Sequence, residues 1–127
     1  MPKSVISTPN APDAVGPYSQ GIAANGFVFC SGQIHLDPST GELVEGSIAD
    51  QTRRCMENLS AVLETAGSSL NDMVKVTVYL ADIADYAEFN EAYAAFVGSE
   101  PPARAAFSVS GLPKAARVEV ECVALVP

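Results

Sequence analysis

The chain has 127 residues, 48% of them hydrophobic and 17% charged, which describes a single globular domain over residues 1–127 rather than a disordered chain. Fifteen acids against seven Lys and Arg give a net charge of −8, which argues against nucleic acid or an anionic membrane as partner. The longest apolar run, residues 92–97, is far short of the ~20 residues a membrane span needs.

The chain begins Met1-Pro2-Lys3-Ser4 with no apolar stretch behind it, so no secretory leader is expected and the expected location is the cytoplasm. Residues 1–18 are rich in Pro, Ser, Asn and Ala and predict a short strand followed by loop. Asn25-Gly26 then separates two apolar runs, the signature of a two-residue hairpin. Ser31-Gly32 is expected to close the second strand, and Asp37-Pro38-Ser39-Thr40-Gly41 is a loop.

Ser47, with Asp50 three residues on, predicts a helix start. Ile48, Cys55, Met56, Leu59, Val62, Leu63 and Ala66 follow at helical spacing until Gly67. Residues 73–80 read as a strand with Val76, Val78 and Leu80 on one face. A second helix is expected from Asp85, with Glu88 in a capping box and Tyr86, Phe89, Tyr93 and Phe96 on one face. Residues 103–110 and 117–126 are the last strands, read as an antiparallel pair joined across Gly111-Leu112-Pro113-Lys114.

The order is β-β-β-α-β-α-β-β, an α+β fold with both helices on one face of a mixed sheet. The other face is semi-apolar (Tyr79, Val123, Leu125) and calls for burial in an oligomer.

The sequence carries none of the patterns G-x-G-x-x-G, G-x-x-x-x-G-K-[ST] or G-x-S-x-G. Cys30, Cys55 and Cys122 are widely spaced without a C-x-x-C pair and read as buried thiols. His35 is the only histidine, no acids stand at ligand spacing around it, and it is read as a solvated strand end; no metal or cofactor is expected.

What remains is a site of cation and carboxylate. Alternation places Arg104, Ala106, Ser108 and Ser110 on one face of their strand, and Glu119 and Glu121 with Arg117 on one face of the next. In an antiparallel pair Arg104 would lie opposite or diagonal to one of the two glutamates. An ordinary cross-strand ion pair is the simplest reading of that juxtaposition. Residues 101–127 nevertheless carry a net charge of +1 in an acidic chain, which makes Arg104 an anion-attracting spot.

Several segments together resemble one known family: Gly16-Pro17-Tyr18-Ser19-Gln20-Gly21, Ser31-Gly32-Gln33-Ile34, Asn90 with Tyr93, Pro102-Ala103-Arg104-Ala105-Ala106-Phe107, Leu112-Pro113 and Val118-Glu119-Val120. In length and order the chain resembles the RidA (YjgF-type) reactive-intermediate deaminases from end to end. The resemblance implies a chorismate-mutase-like fold with six strands and two helices, assembled as a homotrimer with three intersubunit sites. It also implies hydrolysis of 2-imino acids, 2-iminobutanoate and 2-iminopropanoate, to 2-oxo acids and ammonia.

Carried over by position, Arg104 is the carboxylate-binding residue, Glu119 positions the attacking water, and Tyr18, Ser31, Gly32, Asn90 and Ala106 line the pocket. Ala106 stands where the family often has Cys; its backbone N–H is retained. The competing reading is a trimeric module that binds small carboxylates, or acts as a chaperone, without turnover.

Overall fold

Asn25 and Gly26 take φ values of 51° and 81°, the two positive angles that a type I′ turn requires. They join β2 (Gly21–Ala24) to β3 (Phe27–Ile34) in the expected hairpin. The computed structural model describes residues 2–127; Met1, part of the start read above as leaderless, lies outside them. β1 (Ser4–Ile6) adds to β2, and β4 (Leu36–Asp37) pairs with β5 (Glu42–Leu43) in a separate small hairpin. Then follow α1 (Ile48–Thr65), β6 (Met73–Leu80), α2 (Tyr86–Ala94), β7 (Ala103–Ser108) and β8 (Val118–Leu125).

The main sheet has six strands in the order β1-β2-β3-β8-β6-β7, with β6 and β7 parallel and the other pairs antiparallel. This bears out the mixed sheet and overturns the last hairpin. β7 lies beside β6, not beside β8, because a helix crossover from β6 through α2 delivers the next strand parallel to the first. Residues 111–117 therefore carry the chain across β6 to reach β8.

Ser47 caps α1 as predicted, its Oγ accepting the Asp50 N–H at 3.1 Å. The helix ends on Gly67, whose φ of 82° is the left-handed conformation glycine adopts without strain. The Gly67 and Ser68 amides there donate back to the carbonyls of Glu64 and Leu63. The predicted stripe Ile48, Cys55, Met56, Leu59, Val62 and Leu63 is fully buried against Val28, Val76, Val78, Leu80, Val118 and Val120. Cys30 and Cys122 face each other across β3 and β8, and with Cys55 they are buried free thiols, as expected.

The capping box of α2 is not formed. Glu88 instead accepts the Ala49 N–H at 3.2 Å, placing its carboxylate at the positive end of α1. The opposite sheet face bears Val5, Phe27, Phe29, Phe107 and Leu125, each more than a third exposed, with no helix among the described residues over them. No helix among the described residues is long and apolar enough to cross a membrane.

His35 is a correction. It is buried at 3% exposure rather than solvated, with Nδ1 3.0 Å from the Val44 carbonyl and Nε2 accepting the Arg117 N–H at 3.0 Å. These two bonds fix the neutral Nδ1–H tautomer and tie the β4–β5 hairpin to the start of β8. Burial foremost holds its pKa below the ordinary 6.5; the bond to the Val44 carbonyl pulls the other way, and the Arg117 charge adds to the lowering. A histidine with a depressed folded pKa contributes stability fully above its unfolded value and loses it as pH falls below. Urea unfolding of the wild type should therefore show stability falling as pH drops below 6.5. His35→Gln, which can still donate and accept, should have a flatter profile; equal slopes would remove His35 from the acid response.

Candidate active site

Arg104 sits on β7 opposite Val76 of β6, which places it on the helix-covered face. Its guanidinium carbon lies 5.1 Å from the Tyr93 ring centre and 5.7 Å from those of Tyr86 and Phe89, and Nη2 donates to the Tyr86 hydroxyl at 3.0 Å. An aromatic bed on α2 thus holds the fork by cation–π attraction. Among the described residues no carboxylate lies within ion-pairing distance of it. The remaining donors are available for an anion.

Asn90 belongs to this cluster. Its amide, and then the Arg104 charge, pull the Tyr86 phenol below its usual pKa. Asn90 Oδ1 and the Tyr93 hydroxyl are buried without a partner among the described residues. Ala106, two residues after Arg104, shares its face. β7 is an edge strand, and the Val109 N–H donates to the Leu80 carbonyl of β6. Alternation then turns the N–H groups of Arg104 and Ala106 to the open edge.

The second cluster lies on the other side of the sheet. Glu119 is opposite Tyr79 and Ile34, on the uncovered face, and is half-buried. Burial foremost, and then the neighbouring Glu121 charge, raise its carboxyl above the ordinary 4.5. Tyr79 donates its hydroxyl to Glu121, and that bond with burial pushes the phenol up to about 12.

Ser31 and Gly32 do not end β3. They form an irregularity between Cys30 and Gln33, and β3 runs on to Ile34. A Cβ at Gly32 would stand 2.8 Å from Glu119 Cδ and closer still to Oε2, so only glycine leaves the carboxylate where it is. Ser31 donates its hydroxyl to the Ser19 carbonyl at 2.6 Å and its N–H to Gln20, which anchors the loop bearing Tyr18. Tyr18 is exposed, its hydroxyl accepting the Val15 N–H at 3.4 Å. An open cleft of about 450 Å³ lies between Tyr18, Ser31 and Glu121.

The seven residues singled out from sequence thus form two groups within one chain. Arg104, Ala106 and Asn90 stand at the β7 edge on the helix side; Glu119, Gly32, Ser31 and Tyr18 stand on the uncovered face. The expected juxtaposition of Arg104 with Glu119 or Glu121 on one face does not occur. Nor does Arg117 join those carboxylates; it pairs with Asp85 at 3.2 Å instead. The sequence reading missed the bed of Tyr86 and Phe89, although their helical spacing with Tyr93 just before Arg104's strand was a signal for it.

The endoribonuclease L-PSP family model matches residues 8–126. The chain belongs to this YjgF/RidA family. A RutC family protein of Pyrococcus horikoshii is similar at 56% identity over 122 residues, 96% of this chain and 97% of its own. A human relative named 2-iminobutanoate/2-iminopropanoate deaminase is 45% identical over 123 residues, 97% of this chain and 90% of its own. The crystal structure of E. coli TdcF with bound serine matches with a TM-score of 0.91 at 39% identity, over 96% of this chain and 98% of that one. The fold read from sequence is that of the YjgF/RidA family.

Proposed function

We propose that the protein hydrolyses 2-imino acids to 2-oxo acids and ammonia, at sites that two copies of the chain complete together. The observation that carries this reading is Arg104: a guanidinium held by aromatics at an open sheet edge, with no carboxylate partner among the described residues. A planar fork of this kind suits a carboxylate held by two bonds. Human and mouse relatives named as imine deaminases support the reaction class, and the serine-bound TdcF structure supports a small carboxylate ligand.

In this mechanism Arg104 and the open-edge N–H of Ala106 fix the substrate carboxylate beside Asn90. Glu119 of the neighbouring copy takes a proton from a water as its oxygen bonds to the imine carbon. The C=N π pair moves to nitrogen, giving a carbinolamine. Glu119 returns its proton to the amine. The C–N bond then breaks with its electron pair leaving on nitrogen, while the hydroxyl oxygen forms the C=O and gives its proton back to Glu119, so that 2-oxo acid and ammonia depart. An iminium is already electrophilic, so orientation and one base suffice.

The exposed apolar sheet face supports the homotrimer, and light scattering should give the mass of three chains. Single-chain mass at micromolar concentration would remove the shared site. An endoribonuclease activity, as the family's description words it, has little support here. The net charge is −8, and both ring nitrogens of His35, the only histidine, are already bonded within the fold.

The direct test adds the protein to a threonine dehydratase reaction and follows 2-iminobutanoate. Decay should accelerate over buffer in proportion to added protein; an unchanged rate refutes the deaminase. Glu119 must be ionised to act, and its raised pKa puts the acid limb of kcat/KM above 4.5. Glu121→Gln removes the adjacent charge and should move that limb down in pH. An unmoved limb would dissociate it from Glu119.

A further inference from the structure

Tyr18 and Gly32 also form one side of a second cleft, of about 360 Å³, whose apolar wall includes Val15, Ile34 and Leu36. That space equals about a dozen waters at ~30 Å³ each, far more than the methyl or ethyl group of the smallest imino acids requires. The Gln20 side chain in its wall is fully engaged. The buried Gln20 amide accepts the Thr8 N–H at 2.7 Å and donates to the carbonyls of Thr8, Ala11 and Pro12. Gln33, also buried, turns its amide toward the Ser31 carbonyl. The charged groups, Asp13 and Lys114, are exposed at the rim and opposite in sign. A polar side chain entering this cleft would find the Gln20 amide already occupied, whereas an apolar one would lose water contact at no such cost.

The cleft adjoins the reacting groups. Gly32, one of its walls, lies directly against the Glu119 carboxylate. A substrate whose imine carbon sits beside Glu119 therefore has this apolar space within reach of its side chain.

We infer that this cleft is the side-chain subsite, and that the preferred substrates are 2-imino acids with large apolar side chains, such as the imine of leucine. The inference rests on the deaminase reading above. It also states which class of reaction supplies the substrate. Loss of water from hydroxyl amino acids gives only the small imines, the methyl compound from serine and the ethyl compound from threonine. An isobutyl side chain has no β-hydroxyl to lose. Its imine arises by two-electron oxidation of the amino acid, with the electrons passing to a flavin or nicotinamide acceptor and the Cα–N single bond becoming C=N. Hydrolysis at the present site then gives the 2-oxo acid and ammonia with no further redox change.

The test generates imines in situ with an amino-acid oxidase, from leucine and from 2-aminobutyrate, and measures kcat/KM for each over the buffer rate. Two additional buried carbons should favour the leucine imine by about ten-fold. Val15 is 87% exposed, so Val15→Trp narrows the cleft without disturbing the core. It should bring the ratio of the two kcat/KM values close to one or below. Ile34→Phe, from the opposite wall, should change the ratio in the same direction. A wild type that clears the 2-aminobutyrate imine but handles the leucine imine no better overturns the subsite and leaves the deaminase standing. A ratio unmoved by both variants does the same, and a wild type that clears neither imine overturns both.

Discussion

Arg104→Ala should stay folded and trimeric while its turnover of 2-iminobutanoate falls to the buffer rate. The side chain is partly exposed and forms no ion pair among the described residues, so its removal costs the fold little beyond an exposed cation–π contact, roughly 1 kcal/mol. Substrate binding loses far more, because the ligand's carboxylate enters a site with nothing left to neutralise it, a loss of roughly 2–5 kcal/mol. Arg104→Lys should recover only part of the activity, since an ammonium is a point charge and cannot fix the plane of the imine.

The separation of the two clusters adds a sharper form of this experiment. If each site takes Arg104 from one copy and Glu119 from the next, every trimer containing both Arg104→Ala and Glu119→Gln chains has one intact site. Refolding an equal mixture should then restore about a quarter of wild-type activity from two inactive parents. No recovery, with mixed trimers demonstrated by mass, would place both residues' work in one copy and overturn the composite site.

The second large effect is expected at Gly32. A methyl there meets the end of the Glu119 side chain, a flexible group that can move aside, so Gly32→Ala should displace the carboxylate rather than unfold the protein. Its kcat should fall by an amount approaching that of Glu119→Gln, about 10²–10⁴-fold for loss of a positioned base. The pair should be non-additive: once Glu119 is Gln, the extra methyl should cost little more, because both changes remove the same positioned group. Additive losses would mean that Gly32 contributes through its own contacts with substrate. Binding of a 2-oxo acid by titration should weaken less than turnover in both variants, and equal losses would make Glu119 a structural partner only.

Much of this could be read from local patterns. Asn25-Gly26 specifies its hairpin because only residues tolerant of positive φ close a type I′ turn. Ser47 to Gly67 carries a helix's cap, stripe and stop in one contiguous segment. The alternation of Val76, Val78 and Leu80 assigns faces within β6, and the resemblance along the whole chain supplied the family and the seven candidate site residues. All of these readings, the seven candidate site residues among them, depend on neighbours a few positions apart or on a pattern preserved in order along the chain.

What the tertiary structure decided is what lies beside what. Alternation gives the parity of Arg104 and Glu119 within their own strands but not which strands pair. β6 stands between β7 and β8, and its register aligns Arg104 with Val76 and Cys122 but Glu119 with Tyr79, so the two residues are apart and on opposite faces. His35 reads as an isolated polar residue until the β4–β5 hairpin and the start of β8 close over it and use both of its nitrogens. Gly32 reads as a strand end until folding brings Glu119, 87 positions away in the sequence, against its Cα. Each of these contacts joins segments whose meeting is set by the burial of one continuous core. The segments' own composition does not encode where on that core they come together.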